Sequence, residues 1–277
     1  MALAGLVAGV REVFPGRLYV LGGAYELDGR VTWAPSDEVG FQATNCFVLR
    51  EGSRVTLIDP GPAYHADSLM AQMETLLPVG SKLDVFLTRA EFDCFGCLGA
   101  ISARYRIGRL MTGGAHNPFD AFDDVSQVNS GSSGTVAQMA RLAVGSAVNI
   151  GGDRELSIIR PAIRLLATFW AYDTGTRSLF TSDVFTHLIG ATETDAGIVD
   201  TEAAATLRQV RRHLLAKHWW LLSANTQPLL AGLAEIFTSR QIDCICPDRG
   251  RVICGGPAVD RAHAAMREVL LDVGNAQ

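Results

Sequence analysis

Apolar and polar positions alternate along the first third of the chain in short runs broken by turn residues. Residues 17–21 form an apolar run that stops at Gly22-Gly23. Residues 45–49 and 55–58 are two β-rich runs separated by Glu51-Gly52-Ser53, which predicts a hairpin. Asp59-Pro60-Gly61-Pro62 then ends the second strand. Between His65 and Leu77 the apolar positions Leu69, Met70, Met73 and Leu76 recur at helical spacing. A strand over 83–87 feeds directly into Thr88-Arg89-Ala90-Glu91-Phe92-Asp93-Cys94, and a helix is predicted over 96–105. Strands alternating with helices define an α/β protein.

From 117 to 134 the pattern weakens into Asp, Ser, Asn and Gly, the composition of a mobile loop or insertion. Beyond it a helix is predicted over 135–142 and strands over 156–159, 163–170 and 178–181. Amphipathic helices follow over 202–213 and 227–239, then a strand over 242–246 and a closing helix over 257–273. No repeat and no Pro- or Gly-rich linker interrupts this order, so residues 1–277 read as one domain.

Composition adds exclusions. With 48% apolar and 19% charged residues the chain can bury a sizeable core, and wholesale disorder is excluded. A formal net charge of −5 offers no electrostatic grip on nucleic acid or anionic lipid. Lys82 and Lys217 are the only lysines; every other basic side chain that is always charged is arginine. No apolar stretch is long enough to span a membrane, and the N-terminal residues lack the basic flank of a secretory signal. The six cysteines are therefore expected to be mostly reduced thiols in a cytoplasmic protein.

Three segments place charges at or just beyond apolar strands. They are Arg89, Glu91, Asp93 and Cys94 after the 83–87 strand; Arg164 followed nineteen positions later by Asp183; and Arg249 in Pro247-Asp248-Arg249-Gly250. Ligand crevices of α/β sheets lie beyond strand ends, so these charges are candidate site residues.

The run Thr44-Asn45-Cys46-Phe47-Val48-Leu49, followed by Val55-Thr56-Leu57-Ile58-Asp59-Pro60-Gly61, resembles the opening of the metallo-β-lactamase fold. Within that superfamily the chain is most similar to the diiron domain of flavodiiron proteins, which reduce oxygen or nitric oxide. The resemblance runs from roughly residue 15 to 255 and implies a four-layer αβ/βα sandwich. No flavodoxin domain of the kind that normally follows is expected within residues 1–277. The resemblance also implies an oxidoreductase of flavodiiron type rather than a β-lactamase, should the protein be an enzyme.

The family carries His-x-Glu-x-Asp-His after a strand, a His before a bridging Asp, and a late His before Gly. Here Arg89 stands at the first His position, Glu91 and Asp93 match the carboxylates, and Cys94 replaces the next His. Arg164 replaces the His that precedes the bridging carboxylate, Asp183, and Arg249 replaces the last His. Guanidinium has no lone pair to offer a metal and does not deprotonate in proteins. A normal diiron site, which wants imidazole nitrogen beside its oxygen ligands, cannot form on this set.

Without metal, each pair of carboxylates about 5 Å apart would repel by roughly 3 kcal/mol at an effective dielectric near 20. Arg89, Arg164 and Arg249 supply three positive charges against Glu91, Asp93 and Asp183, which predicts an ion-pair cluster in a degenerate metal pocket. On this reading Arg164→Ala would destabilise a buried cluster by about 3–5 kcal/mol. The bland alternative leaves these arginines pointing to solvent.

Three functions follow. The first is a binding, regulatory or partner subunit that has lost its metals and needs no cofactor. It would recognise a small polar ligand and pair with a second copy or a related chain, as the resemblance implies. The second is an oxidoreductase or hydrolase whose Glu91, Asp93, Cys94 and Asp183 hold a single iron or other divalent metal. Three nearby guanidiniums would oppose that cation. The third is a thiol redox switch at Cys94 and Cys97, a Cys-x-x-Cys near a predicted helix start and beside arginine, where a thiol pKa falls. Against the third, free cysteine often simply packs in a core. Cys244 and Cys246 share a strand face, and with Cys254 they suggest either a soft-metal site or buried strand residues. The six histidines form no His-x-His or His-x-x-x-His pair and read as surface or satisfied residues.

Overall fold

The computed structural model of the chain describes residues 9–113, 138–197, 199–202 and 205–275. The chain, read from its sequence as undivided, separates into two compact units. One comprises the chain up to Gly23 together with Thr44–Ile158; the other comprises Ala24–Ala43 and Ile159–Gln277. Among the described residues no helix is long and apolar enough to cross a membrane.

In the first unit β1 (Arg11–Phe14), β2 (Leu18–Leu27), β3 (Gly40–Glu51), β4 (Arg54–Ile58), β5 (Lys82–Leu87), β6 (Arg106–Thr112) and β7 (Gln138–Arg141) lie side by side in chain order. The expected hairpin is β3–β4, closed across Glu51 and Arg54 with Gly52 at φ +59°. From β4 onward the pairing is parallel, and the returns from β4 to β5 and from β5 to β6 pass through helix. Helix α1 (Ala66–Leu76) links β4 to β5, and α2 (Phe92–Phe95) with α3 (Leu98–Arg104) links β5 to β6. Leu69, Met73 and Leu76 of α1 and Leu98 and Ile101 of α3 pack on Val48, Leu57, Val85 and Leu87. Each such side chain contributes about 1.5–3 kcal/mol by burial. A further hairpin, β8 (Ala147–Gly151) and β9 (Arg154–Ile159), turns at Gly152.

In the second unit β10 (Trp170–Asp173), β11 (Ser178–Ser182), β12 (Cys244–Pro247) and β13 (Ile253–Cys254) run in the order β13-β12-β11-β10. The β11–β12 pair is parallel, and α4 (Glu193–Ala196), α5 (Leu207–Lys217) and α6 (Gln227–Thr238) lie between its strands in sequence. Helix α7 (Gly256–Asn275) closes the chain. Val210 and Leu214 of α5, Leu233 and Ile236 of α6, and Val259, Met266 and Leu270 of α7 share one core with Trp170, Leu179 and Ile245.

The structure corrects four expectations. Residues 138–141, expected inside a helix, are strand β7, because pairing with β6 outweighs local helix propensity. The loop expected over 117–134 lies outside the described residues. The strand expected over 163–170 begins only at Trp170, and 160–169 is irregular. The helix expected from 202 begins at Leu207, where the Thr206 hydroxyl accepts the Gln209 N–H as its N-cap. Finally, Cys244 and Cys254, expected as part of a soft-metal site or as separate buried strand residues, are disulfide-bonded to each other, because antiparallel β12 and β13 set them opposite one another; the other four cysteines are free thiols.

Candidate functional site

The candidate residues fall into two groups, one in each unit. In the first unit β5 delivers them. At the end of β4, Asp59 adopts φ +48°, and its carboxylate accepts the Thr88 N–H at 2.8 Å and the Thr88 hydroxyl at 2.6 Å. That clamp fixes the backbone immediately before Arg89. The Arg89 side chain is 0% exposed, its Nη2 lies 2.5 Å from Asp93 Oδ2, and its Nε lies 3.5 Å from Glu91 Oε1. One turn of helix makes this possible. Glu91 occupies the N-cap of α2 in extended conformation, and Asp93 sits in the first turn, four residues from Arg89. Of the three arginines and three carboxylates expected in one cluster, this segment sets the Arg89 guanidinium near Glu91 and Asp93.

Cys94 and Cys97 stand apart from this chemistry. Both are buried thiols. Gly61 N–H donates to the Cys94 carbonyl, Cys97 N–H donates to the Gly61 carbonyl, and the Cys97 thiol lies 3.1 Å from the Pro62 carbonyl. A side chain at Gly96 would approach the Ala63 nitrogen to 2.5 Å, so the Cys-x-x-Cys turn is packed tightly on the 61–63 turn. Burial pushes the Cys97 thiol up to about 12, the opposite of the lowered value a redox dithiol requires.

In the second unit Asp183 leaves β11 through strained backbone. Ser182 and Phe185 both have left-handed φ, +52° and +68°, and the β11–β12 register shifts between Phe180 and Ser182. The Ser182 carbonyl accepts the Asp248 N–H at 2.9 Å, which ties this turn to the one carrying Arg249. Asp183 is buried, with Lys217 Nζ at 3.7 Å and His218 Nε2 at 3.9 Å. Both come from the C-terminal end of α5. Burial holds the His218 imidazole below its ordinary range, against the opposing pull of Asp183. Arg249 is buried with Nη1 3.4 Å from Asp248 Oδ2, and its guanidinium lies 4.7 Å above the Trp33 ring. Gly250 follows at φ +83°, where an added Cβ would meet the Thr186 and Leu188 carbonyl oxygens at 2.9 Å.

Arg164 differs from its expected place. It lies exposed in the irregular 160–169 segment, because the strand that would have buried it is not formed. The cation beside Asp183 is Lys217, one of the two lysines, and no motif in the sequence marks it. Trp33 and His218 were likewise without a motif. Three of the histidines read as surface or satisfied residues, His187, His213 and His218, are almost wholly buried in this unit.

The donor set does not fit the iron pair that the resemblance implies. Arg89, which stands where the resemblance puts an imidazole, donates to Asp93 and lies 3.5 Å from Glu91, and a guanidinium offers a metal no lone pair. Among the described residues no group of three His, Cys, Asp or Glu is disposed to hold a metal ion.

A family model described as "ODP family beta lactamase" matches residues 42–250. The chain belongs to this family. Its fold is that of the metallo-β-lactamase-like domain of flavodiiron proteins. It is similar to rubredoxin oxygen:oxidoreductase from Desulfovibrio gigas, at 14% identity and a TM-score of 0.69, over 95% of this chain and 61% of that one. The flavodiiron protein from Giardia intestinalis matches at 16% identity and a TM-score of 0.65, over 95% and 60%. A metal-soaked flavodiiron core from Synechocystis matches at 14% identity and a TM-score of 0.66, over 95% and 61%. The chain thus spans about three fifths of the length of these solved structures. Among curated protein sequences nothing matches.

Proposed function

We propose that this protein is a flavodiiron-like member of its family in which protein ion pairs have replaced the metal centre, and that it serves as a non-catalytic binding, regulatory or partner subunit. The observation that carries the reading is the wholly buried Arg89 guanidinium held by Glu91 and Asp93. A cation covalently part of the chain neutralises the carboxylates permanently, and it repels a divalent ion from the same space. Lys217 beside Asp183 and Arg249 beside Asp248 extend the pattern to the second unit. A polar ligand or a second chain, this one or a related one, is the partner such a pocket would serve.

Metal analysis tests the reading. Protein produced in medium supplemented with iron, zinc and manganese, and purified without chelators, should contain far less than one metal per chain. Stoichiometric metal that is lost in Asp93→Asn overturns the proposal and favours a single-metal enzyme.

A further inference from the structure

Among the described residues outside these groups, one pair of cysteines is joined by a disulfide and differs in exposure. Cys244 lies on β12, fully buried, and is bonded to Cys254 on β13. Cys254 is partly exposed and is followed by the exposed Gly255, Gly256 and Pro257. These residues open α7, whose twenty residues make it the longest helix among those described. The Gly255 carbonyl accepts the N–H groups of Ala258 and Val259, so the helix begins right after Cys254.

We propose that Cys254 and Cys244 form a thiol–disulfide exchange centre, with Cys254 the sulfur attacked from solvent, Cys244 the buried resolving sulfur, and a dithiol or its disulfide the substrate class. Three features support this, and none rests on the ion-pair reading. The pairing is asymmetric, with Cys254 partly exposed and Cys244 fully buried, as directed exchange requires. Cys254 lies two residues before the first residue of a long helix, whose positive end favours a thiolate nearby. No acidic residue lies in the first turn of α7 to cancel that field. The nearest carboxylates on neighbouring segments are engaged by arginine: Asp200 has Arg251 at 3.2 Å, and Asp243 is paired with Arg177. Both segments touch this site through backbone bonds, from Cys254 N–H to the Asp200 carbonyl and from Gly255 N–H to the Asp243 carbonyl.

The exchange balances without a further reactant. A thiolate of the external dithiol attacks Cys254 Sγ, the Cys244–Cys254 bond breaks, and its electron pair leaves on Cys244 Sγ, which takes a proton. The second thiol of the dithiol, giving up its proton, then attacks the first, closing the external disulfide and releasing Cys254 as thiolate. The protein gains two electrons and the dithiol loses two; the reverse sequence oxidises an external dithiol. A structural bond would resist such exchange.

Native full-length protein equilibrated with mixtures of reduced and oxidised dithiothreitol, then acid-quenched and peptide-mapped, tests this. The linked peptides carrying Cys244 and Cys254 should appear and vanish with the ratio of the two forms. In the reduced protein at pH 6.5, iodoacetamide should modify Cys254 first, while Cys46, Cys94, Cys97 and Cys246, all buried, lag behind. With a thiolate favoured by the helix start, alkylation of Cys254 about threefold faster than that of free cysteine is expected. Cys244→Ser should keep the fast alkylation and lose the linked peptides. A bond that never forms, a bond that does not yield to the dithiol without denaturant, or a Cys254 no faster than free cysteine overturns the proposal.

Discussion

Arg89 and Arg164 look alike in the sequence, each standing where the resemblance puts a histidine, and the structure gives them opposite surroundings. Arg89 has no exposed side-chain surface and two carboxylates in reach; Arg164 projects from an irregular surface segment. Removing a buried partner strands the charges it neutralised, so Arg89→Ala should lower stability by about 3 kcal/mol, read as a shift in the urea unfolding midpoint. Arg89→Lys should recover only part of that loss, since a point charge cannot bridge Glu91 and Asp93 as a fork does. Arg164→Ala should change stability by less than about 0.5 kcal/mol, in contrast to the large loss its sequence position predicts. The difference was legible for Arg89, whose partners lie two and four positions away. It was hidden for Arg164, whose burial depended on a strand that the run Ile163-Arg164-Leu165-Leu166 does not form. Lys217 illustrates the converse: its proximity to Asp183 arises from the placement of a helix end, which no local spacing records.

At the scale of elements, strands and helices with clear periodicity were readable, and their ends were set by features that periodicity does not capture. Thr206 and Gln209 fix the start of α5 through a cap, and edge pairing makes β7 a strand. The turn after β12 depends on a glycine. At Gly250 a side chain would meet two carbonyl oxygens in left-handed backbone, so Gly250→Ala should cost about 1–3 kcal/mol in the same unfolding assay. The buried histidines of the second unit give an acid response. Burial, and then the nearby His213, lower the His187 imidazole to about 3, and burial also lowers His213 despite Glu38 at 3.4 Å. An unfolded chain takes up these protons near pH 6.5 and the folded one does not, so stability is full above that pH and is lost as pH falls toward 3. His187 alone should account for about 2 kcal/mol between pH 6.5 and 5. Unfolding midpoints at the two pH values should show this loss, and His187→Gln should flatten it.

For the whole molecule, membership of the family accounts for the order of strands and helices, and within that framework the Arg89 guanidinium lies within reach of Glu91 and Asp93. The class of fold was legible because 42–250 keeps the family's framework; the two-unit division was not, since the chain passes between the units without a linker. The clamp in which Asp59 takes both the N–H and the hydroxyl of Thr88 has a consequence for assembly. It locks the platform beneath Arg89 using only main-chain and side-chain atoms of the polypeptide, and on the proposed reading folding would need no mineral ingredient. Incubation with EDTA should therefore leave the thermal melting curve superimposable on that of untreated protein, and such indifference would let the molecule mature fully in iron-starved cells.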